Sequence, residues 1–200
     1  YPRQYMAALL SSVLDNSTKI AEYIAECREM GIKLLPPDVN ESFADFSVSG
    51  NDIRFGLVAI KSIGRGFINE LISRREEDGP FRSLEDFCRR MAGRELNRRA
   101  VENLIRAGAF DSMGFKRKAL LRVMIDGIQQ ESRNNVEGQL NLFGEPDFED
   151  AGAIRIKIPE VEEYTRAELL AMEKETAGLY LSGHPMDEYR AAVRRAGIVP

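Results

Sequence analysis

The stretch Ile60-Lys61-Ser62-Ile63-Gly64-Arg65-Gly66-Phe67-Ile68 constrains this chain more than any other. Before it, Leu57, Val58 and Ile60 read as the apolar end of a helix; after it, Phe67, Ile68, Leu71 and Ile72 recur at helical spacing. Between them, Gly64 and Gly66 are expected to carry the backbone into positive φ and to let a ligand approach the main chain closely. The first amides of the following helix have no intrahelical acceptor and are expected to face an anion. Ile63 should tuck inward and hold the bend shut, with Lys61 and Arg65 flanking the opening. This is the layout of a helix-hairpin-helix, which holds a nucleic-acid backbone through main-chain N–H groups without reading bases. Gly-x-Gly also occurs in plain tight turns between helices, and the bend by itself leaves both readings open.

Charge is distributed in a way that bears on that choice. The 200 residues carry 28 Lys+Arg against 32 Asp+Glu; residues 53–133 hold 17 and 11 of these, leaving 11 and 21 for the rest. A basic middle between acidic ends fits a centre that touches phosphates, although solvated helix faces produce similar asymmetry. The longest apolar runs, such as Met6–Leu10, are far too short to span a bilayer, and nothing resembles a secretory signal. The chain opens on Tyr1, which reads as a piece of something longer or a processed form. Cys27 and Cys88, far apart and without clustered His, argue against a zinc site and give no disulfide framework.

Along the chain, apolar periodicity predicts helices at Gln4–Leu14 and Thr18–Met30, the second capped at Asn16-Ser17 and ended by Gly31. Pro36-Pro37 suggests an extended connector, and Phe46–Val48 and Ile53–Phe55 a short β-hairpin. Ser83 with Asp86 resembles a capping box for a helix through Met91, and Asn97 caps another at Arg98–Ala107, closed by Gly108. A helix beginning near Phe115 completes a second, degenerate hairpin that lacks Gly-x-Gly. Lys116, Arg117 and Lys118 crowd its N-terminus, where cations oppose the macrodipole. A bound phosphate would reverse that sign; extension of the side chains into water is the alternative.

Residues 133–152 are rich in Asn, Gly, Glu and Asp and read as a linker. Within it, Gln139-Leu140-Asn141-Leu142-Phe143 places three large apolar residues in a polar setting, where each forgoes roughly 1.5–3 kcal/mol of burial. They need a pocket, on this protein or on a partner that captures a short peptide. Beyond the linker, Ile154–Ile158 alternates apolar and basic residues, Thr165 and Glu168 start a helix at Arg166–Thr176, and a last helix is expected at Met186–Ala196. His184, between Gly183 and Pro185, reads as a turn residue contacting backbone, since no nucleophile or carboxylate arrangement accompanies it.

Several segments together carry a resemblance. Tyr5-Met6-Ala7-Ala8-Leu9-Leu10, the run Met30–Asn40, Ile60-Lys61-Ser62-Ile63-Gly64, Leu104-Ile105-Arg106-Ala107-Gly108-Ala109-Phe110-Asp111 and Leu179-Tyr180-Leu181-Ser182-Gly183-His184-Pro185 closely resemble the family of bacterial DNA polymerase III alpha subunits, nearly end to end. The resemblance implies a mainly α fold: a tandem helix-hairpin-helix domain with a short β-hairpin and flanking helices. It implies four regions: 1–45, the end of the fingers; 46–133, the tandem hairpins; 134–153, a linker; and 154–200, a helical approach to an OB-fold domain. Gln139-Leu140-Asn141-Leu142-Phe143 looks like that family's internal sliding-clamp motif, with Gln139, Leu140, Leu142 and Phe143 as contacts.

By the same resemblance the expected DNA contacts are Lys61, Ile63, Gly64, Arg65, Gly66, Phe67 and Ile68, with Lys116, Arg117 and Lys118 at the second hairpin. The expected partners are DNA, the sliding clamp (beta subunit) and, through the parent, other replicase subunits, in the cytoplasm at the replication fork, with no membrane. The family's nucleotidyl transfer uses palm-domain aspartates holding Mg2+, and that domain lies N-terminal to the stretch seen here. No catalytic residue, metal ligand or cofactor is therefore expected in this segment, which should be inactive alone although the parent is a polymerase. A helical scaffold binding only protein, and the same region of an accessory error-prone homologue, are the competing readings.

Overall fold

The computed structural model describes residues 1–14, 16–91, 98–124 and 158–189. Helix α1 (Pro2–Ser12) starts earlier than periodicity suggested because Pro2 occupies its first turn, where a missing N–H leaves nothing unpaired. Helix α2 (Ser17–Glu29) is capped as expected: the Asn16 side chain accepts from the Lys19 amide at 3.0 Å, and Gly31 follows its end at φ +73°. The predicted β-hairpin forms as β2 (Ser47–Ser49) and β3 (Asp52–Arg54), antiparallel with Val48 opposite Ile53. A third strand, β1 (Leu34–Leu35), pairs parallel to β3 in the order β1-β3-β2. The expected extended connector at Pro36-Pro37 directly follows this strand.

A 3-10 turn and four helices then build the hairpins. A single 3-10 turn, Leu57–Ala59, leads to helix α3 (Arg65–Asp78). Helix α4 (Leu84–Arg90) is capped by Ser83, which accepts from the Asp86 amide at 3.1 Å. Helix α5 (Arg98–Arg106) presents Val101, Leu104 and Ile105 inward, and Gly108 at φ +84° turns the chain as expected. Helix α6, residues 117–124, completes the second hairpin. Helix α7 (Arg166–Ala177) opens on the full Thr165–Glu168 capping box and ends at left-handed Gly178. Of the last helix predicted at Met186–Ala196, the described part is a 3-10 turn, Pro185–Tyr189, and the remainder lies outside the described residues; the His184 Nδ1 accepts the Met186 amide at 3.2 Å. Asn97, the stretch Gln139–Phe143 and most of Ile154–Ile158 lie outside the described residues.

One apolar core runs from Met6 on α1 to Met124 on α6, and Ile158, Tyr164, Met172, Leu179 and Leu181 of the last segment pack against it. Phe87 of α4 is its hub. Its ring lies 6.4 Å from Phe67 of the first hairpin and 5.0 Å from Phe110 of the second, with Phe81 at 4.9 Å. Each such pair adds about 0.5–1.5 kcal/mol beyond area burial, so α4 fixes the two hairpins against each other. Gly56 permits a backbone crossing next to the first hairpin. A Cβ there would meet the Asp45 carbonyl carbon at 2.5 Å, and the crossing is secured where Leu57 and Val58 amides donate to Phe43 and Ala44 carbonyls at 3.0 Å. Among the described residues, no helix is long and apolar enough to cross a membrane.

Candidate nucleic-acid interface

At the first hairpin, side chains take the places their apolarity demands. Ile63, Phe67 and Ile68 are buried, whereas Lys61, Ser62, Gly64, Arg65 and Gly66 are exposed. The backbone differs from expectation in one respect. Positive φ falls on Ser62, at +64°, not on the glycines. Gly64 is the N-cap of α3 in ordinary extended geometry, φ −78° and ψ 151°, and Gly66 lies inside the first helical turn. Neither has unusual dihedrals, and Gly64 offers openness instead: a Cβ there would meet nothing within 4 Å.

Gly64 supplies no side-chain cap, and its carbonyl accepts only from Ile68, at 3.2 Å. Among the described residues, the amides of Arg65, Gly66 and Phe67 have no acceptor, at the positive end of a 14-residue helix. The loop that aims them is pinned on both sides. The Lys61 amide donates to the Thr176 carbonyl of α7 at 2.9 Å, and the Lys61 carbonyl accepts from Asn103 Nδ2 of α5 at 2.7 Å. The Lys61 ammonium is left without a described partner, and Arg65 pairs with exposed Asp45 at 3.1 Å. An exposed pair of this kind contributes at most about 1 kcal/mol, so Arg65 exchanges it readily for another anion.

The second hairpin has the opposite character. Arg117, read from the sequence as a phosphate contact, is 4% exposed and faces inward. Its guanidinium donates to Asp111 Oδ1 at 3.0 Å and Oδ2 at 2.6 Å, to Glu173 Oε1 at 3.0 Å and to the Arg106 carbonyl at 3.2 Å. Burial by itself lowers the Arg117 pKa, but the hydrogen bonds and charges of Asp111 and Glu173 outweigh it and leave it raised. Gly108 is indispensable to this arrangement, because a Cβ there would meet Arg117 Nη2 at 2.2 Å. Lys116 Nζ donates to the Val161 carbonyl at 3.0 Å, and Lys118 sits over the Tyr164 ring at 5.3 Å. The three cations expected to meet phosphate, or to extend into water, are thus engaged by the chain's own last segment.

The amides of that hairpin are also taken. Arg117 N donates to Glu163 Oε2 at 2.7 Å and Lys118 N to Glu163 Oε1 at 3.0 Å, so a carboxylate occupies the helix start. Three residues that sequence reasoning missed set this arrangement: Asp111 and Glu173 hold the Arg117 guanidinium, and Glu163 holds the amides. The available signal was the crowding of cations at a helix N-terminus, which calls for an anion without saying which one.

Elsewhere the chemistry is quiet. Burial pushes the Cys88 thiol up to about 12, and burial with the nearby Glu26 charge raises Cys27, so neither is a thiolate nucleophile near neutrality. Among the described residues, no group of three or more His, Cys, Asp or Glu side chains is placed to hold a metal ion.

The comparisons with known proteins fall on the same elements. A family described as "Helix-hairpin-helix motif" matches residues 31–120. The chain is 42% identical over 196 residues to a protein of Saccharopolyspora erythraea, 41% over 187 residues to one of Mycobacterium leprae and 39% over 195 residues to one of Deinococcus radiodurans. All three are named DNA polymerase III subunit alpha. The matches cover 94%, 92% and 94% of this chain but only 16%, 16% and 14% of those proteins.

Proposed function

We propose that this chain, a member of the DNA polymerase III alpha subunit family that spans about 16% of the length of its relatives, holds the DNA backbone at its first hairpin and the sliding clamp through a linear peptide. The observation that carries the first half is the set of amides at Arg65, Gly66 and Phe67 that find no acceptor among the described residues, beside open Gly64 and a Lys61 ammonium without a described partner. Such amides take a phosphate oxygen without regard to base, which suits an enzyme that must travel over any sequence. Ile63, Phe67 and Ile68 contribute by packing beneath the bend. Arg65 joins once it leaves Asp45.

For the second half, Gln139, Leu140, Leu142 and Phe143 form the clamp peptide: Gln139 hydrogen-bonds at the rim of the clamp's pocket while Leu142 and Phe143 fill it. Two weak contacts joined by one chain and one DNA raise each other's effective concentration, so processive synthesis needs tight binding at neither. The parent acts as a DNA-directed DNA polymerase with other replicase subunits in the cytoplasm. Its Mg2+ would be held by palm aspartates beyond this chain, whose own residues do no nucleotidyl transfer.

Titration of this chain with labelled primed DNA tests the first claim. If about three phosphates are held, log K falls with log salt at a slope of roughly −2.7. A flat response makes the chain a protein-binding helical scaffold instead. Replacing Leu142 and Phe143 by Ala abolishes clamp capture and leaves DNA binding unchanged; retained clamp capture removes the peptide claim.

A further inference from the structure

The second hairpin presents the same two amides that a phosphate-holding hairpin uses, at the start of α6, yet they are filled from within. Glu163 reaches them from 46 and 45 residues away with both carboxylate oxygens, and Oε1 also accepts the Tyr164 amide at 2.9 Å. The residues around Glu163 reinforce the contact: Val161 takes Lys116, Tyr164 covers Lys118, and Glu173 on α7 receives Arg117. Glu173 Oε2 in turn accepts the Leu181 and Ser182 amides at 2.8 and 2.9 Å, tying the rest of the segment down.

We infer that Glu163 is a built-in occupant of the second hairpin's amide seat, an autoinhibitory contact through which residues 158–182 keep nucleic-acid phosphate off that hairpin. The inference rests on reading the first hairpin as a phosphate holder. The two hairpins then differ in occupancy more than in kind. Among the described residues, the first has amides without an acceptor, with Lys61 and Arg65 against one exposed Asp45; the second has a carboxylate on its amides, Arg117 held by Asp111 and Glu173, Lys116 on a carbonyl and Lys118 over a ring. A phosphodiester can enter the second seat only by displacing Glu163, and it then gains Lys116 and Lys118 as neighbours.

The test compares DNA binding by the full 200-residue chain, Glu163→Gln and Glu162→Gln at several salt concentrations. Gln keeps the volume of Glu163 and one acceptor oxygen but surrenders the charge, while Glu162, exposed beside it, makes the same charge change away from the seat. Opening the seat adds one phosphate, so E163Q steepens the salt slope by about 0.9, and E162Q does not. Equal slopes for E163Q and wild type, or an equal gain in E162Q, overturn the inference. The outcome is separable from that of the first hairpin. Wild-type binding unmoved by E163Q sinks only the inference, and binding seen only in E163Q sinks only the first-hairpin reading.

Should E163Q fail to fold, titration of wild-type chain with inorganic phosphate decides. The amides of Arg65, Gly66 and Phe67 must then respond at lower phosphate than those of Arg117 and Lys118, and a simultaneous or reversed response contradicts the occupied seat.

Discussion

Replacing Arg117 by Ala destabilises the chain by about 3–5 kcal/mol, a drop in melting temperature of roughly 10 °C or more for a protein of this size. The reason is what the change leaves behind. Glu173 is 0% exposed, and without Arg117 its carboxylate stays buried with, among the described residues, the Leu181 and Ser182 amides as its donors. Asp111 is half-exposed and can turn to water, so the larger part of the loss falls on Glu173. Arg117→Lys does little better, because one ammonium cannot replace a fork that reaches Asp111, Glu173 and the Arg106 carbonyl together. The paired change Arg117→Met with Glu173→Leu recovers part of the stability, since apolar groups of similar volume need no partner, while the Leu181 and Ser182 amides lose their acceptor. Thermal unfolding of the three variants checks this, and an Arg117→Ala melt equal to wild type contradicts the assignment of Arg117 to the interior.

Gly64→Ala has the converse signature: little change in stability and about a ten-fold loss of DNA affinity. Its dihedrals are ordinary for alanine, and the added methyl meets no atom of the chain within 4 Å. Loss of a glycine N-cap costs well under about 1 kcal/mol. The methyl does stand beside the amides of Arg65, Gly66 and Phe67, holding a phosphate back from the main chain. One amide–phosphate contact lengthened past hydrogen-bond range, with another weakened, forfeits about 1.4 kcal/mol, which is the ten-fold effect. Affinity in G64A equal to wild type places the phosphate elsewhere.

Much of this architecture is legible in the sequence because it is local. Asn16, Ser83 and Thr165 cap the helices they precede, and each does so by accepting an amide three positions on. The inward turn of Ile63, Phe67 and Ile68 likewise follows from spacing within one bend. What spacing does not carry is the identity of distant partners. The crowded cations Lys116, Arg117 and Lys118 announce a need for anions, but the answers lie at Glu163 and Glu173, 46 and 56 residues beyond Arg117.

The acidic C-terminal segment therefore serves as counter-charge to the basic middle, pairing Glu175 with Arg106 and Glu173 with Arg117. Strand β1 is missed for a similar reason: two residues beside a proline pair become a strand only because β3 runs next to them. At the first hairpin, the backbone property expected of Gly-x-Gly lies elsewhere. Positive φ sits at Ser62, and Gly64 leaves room.

The central claim is that main-chain nitrogens at the start of α3 take a phosphate. The most direct measurement follows the backbone amide resonances of the wild-type chain by nuclear magnetic resonance as a short DNA duplex is added. The account predicts that Arg65, Gly66 and Phe67 move first and furthest, with changes that fade as salt is raised. Amides at those three positions that stay still while DNA binds would contradict it.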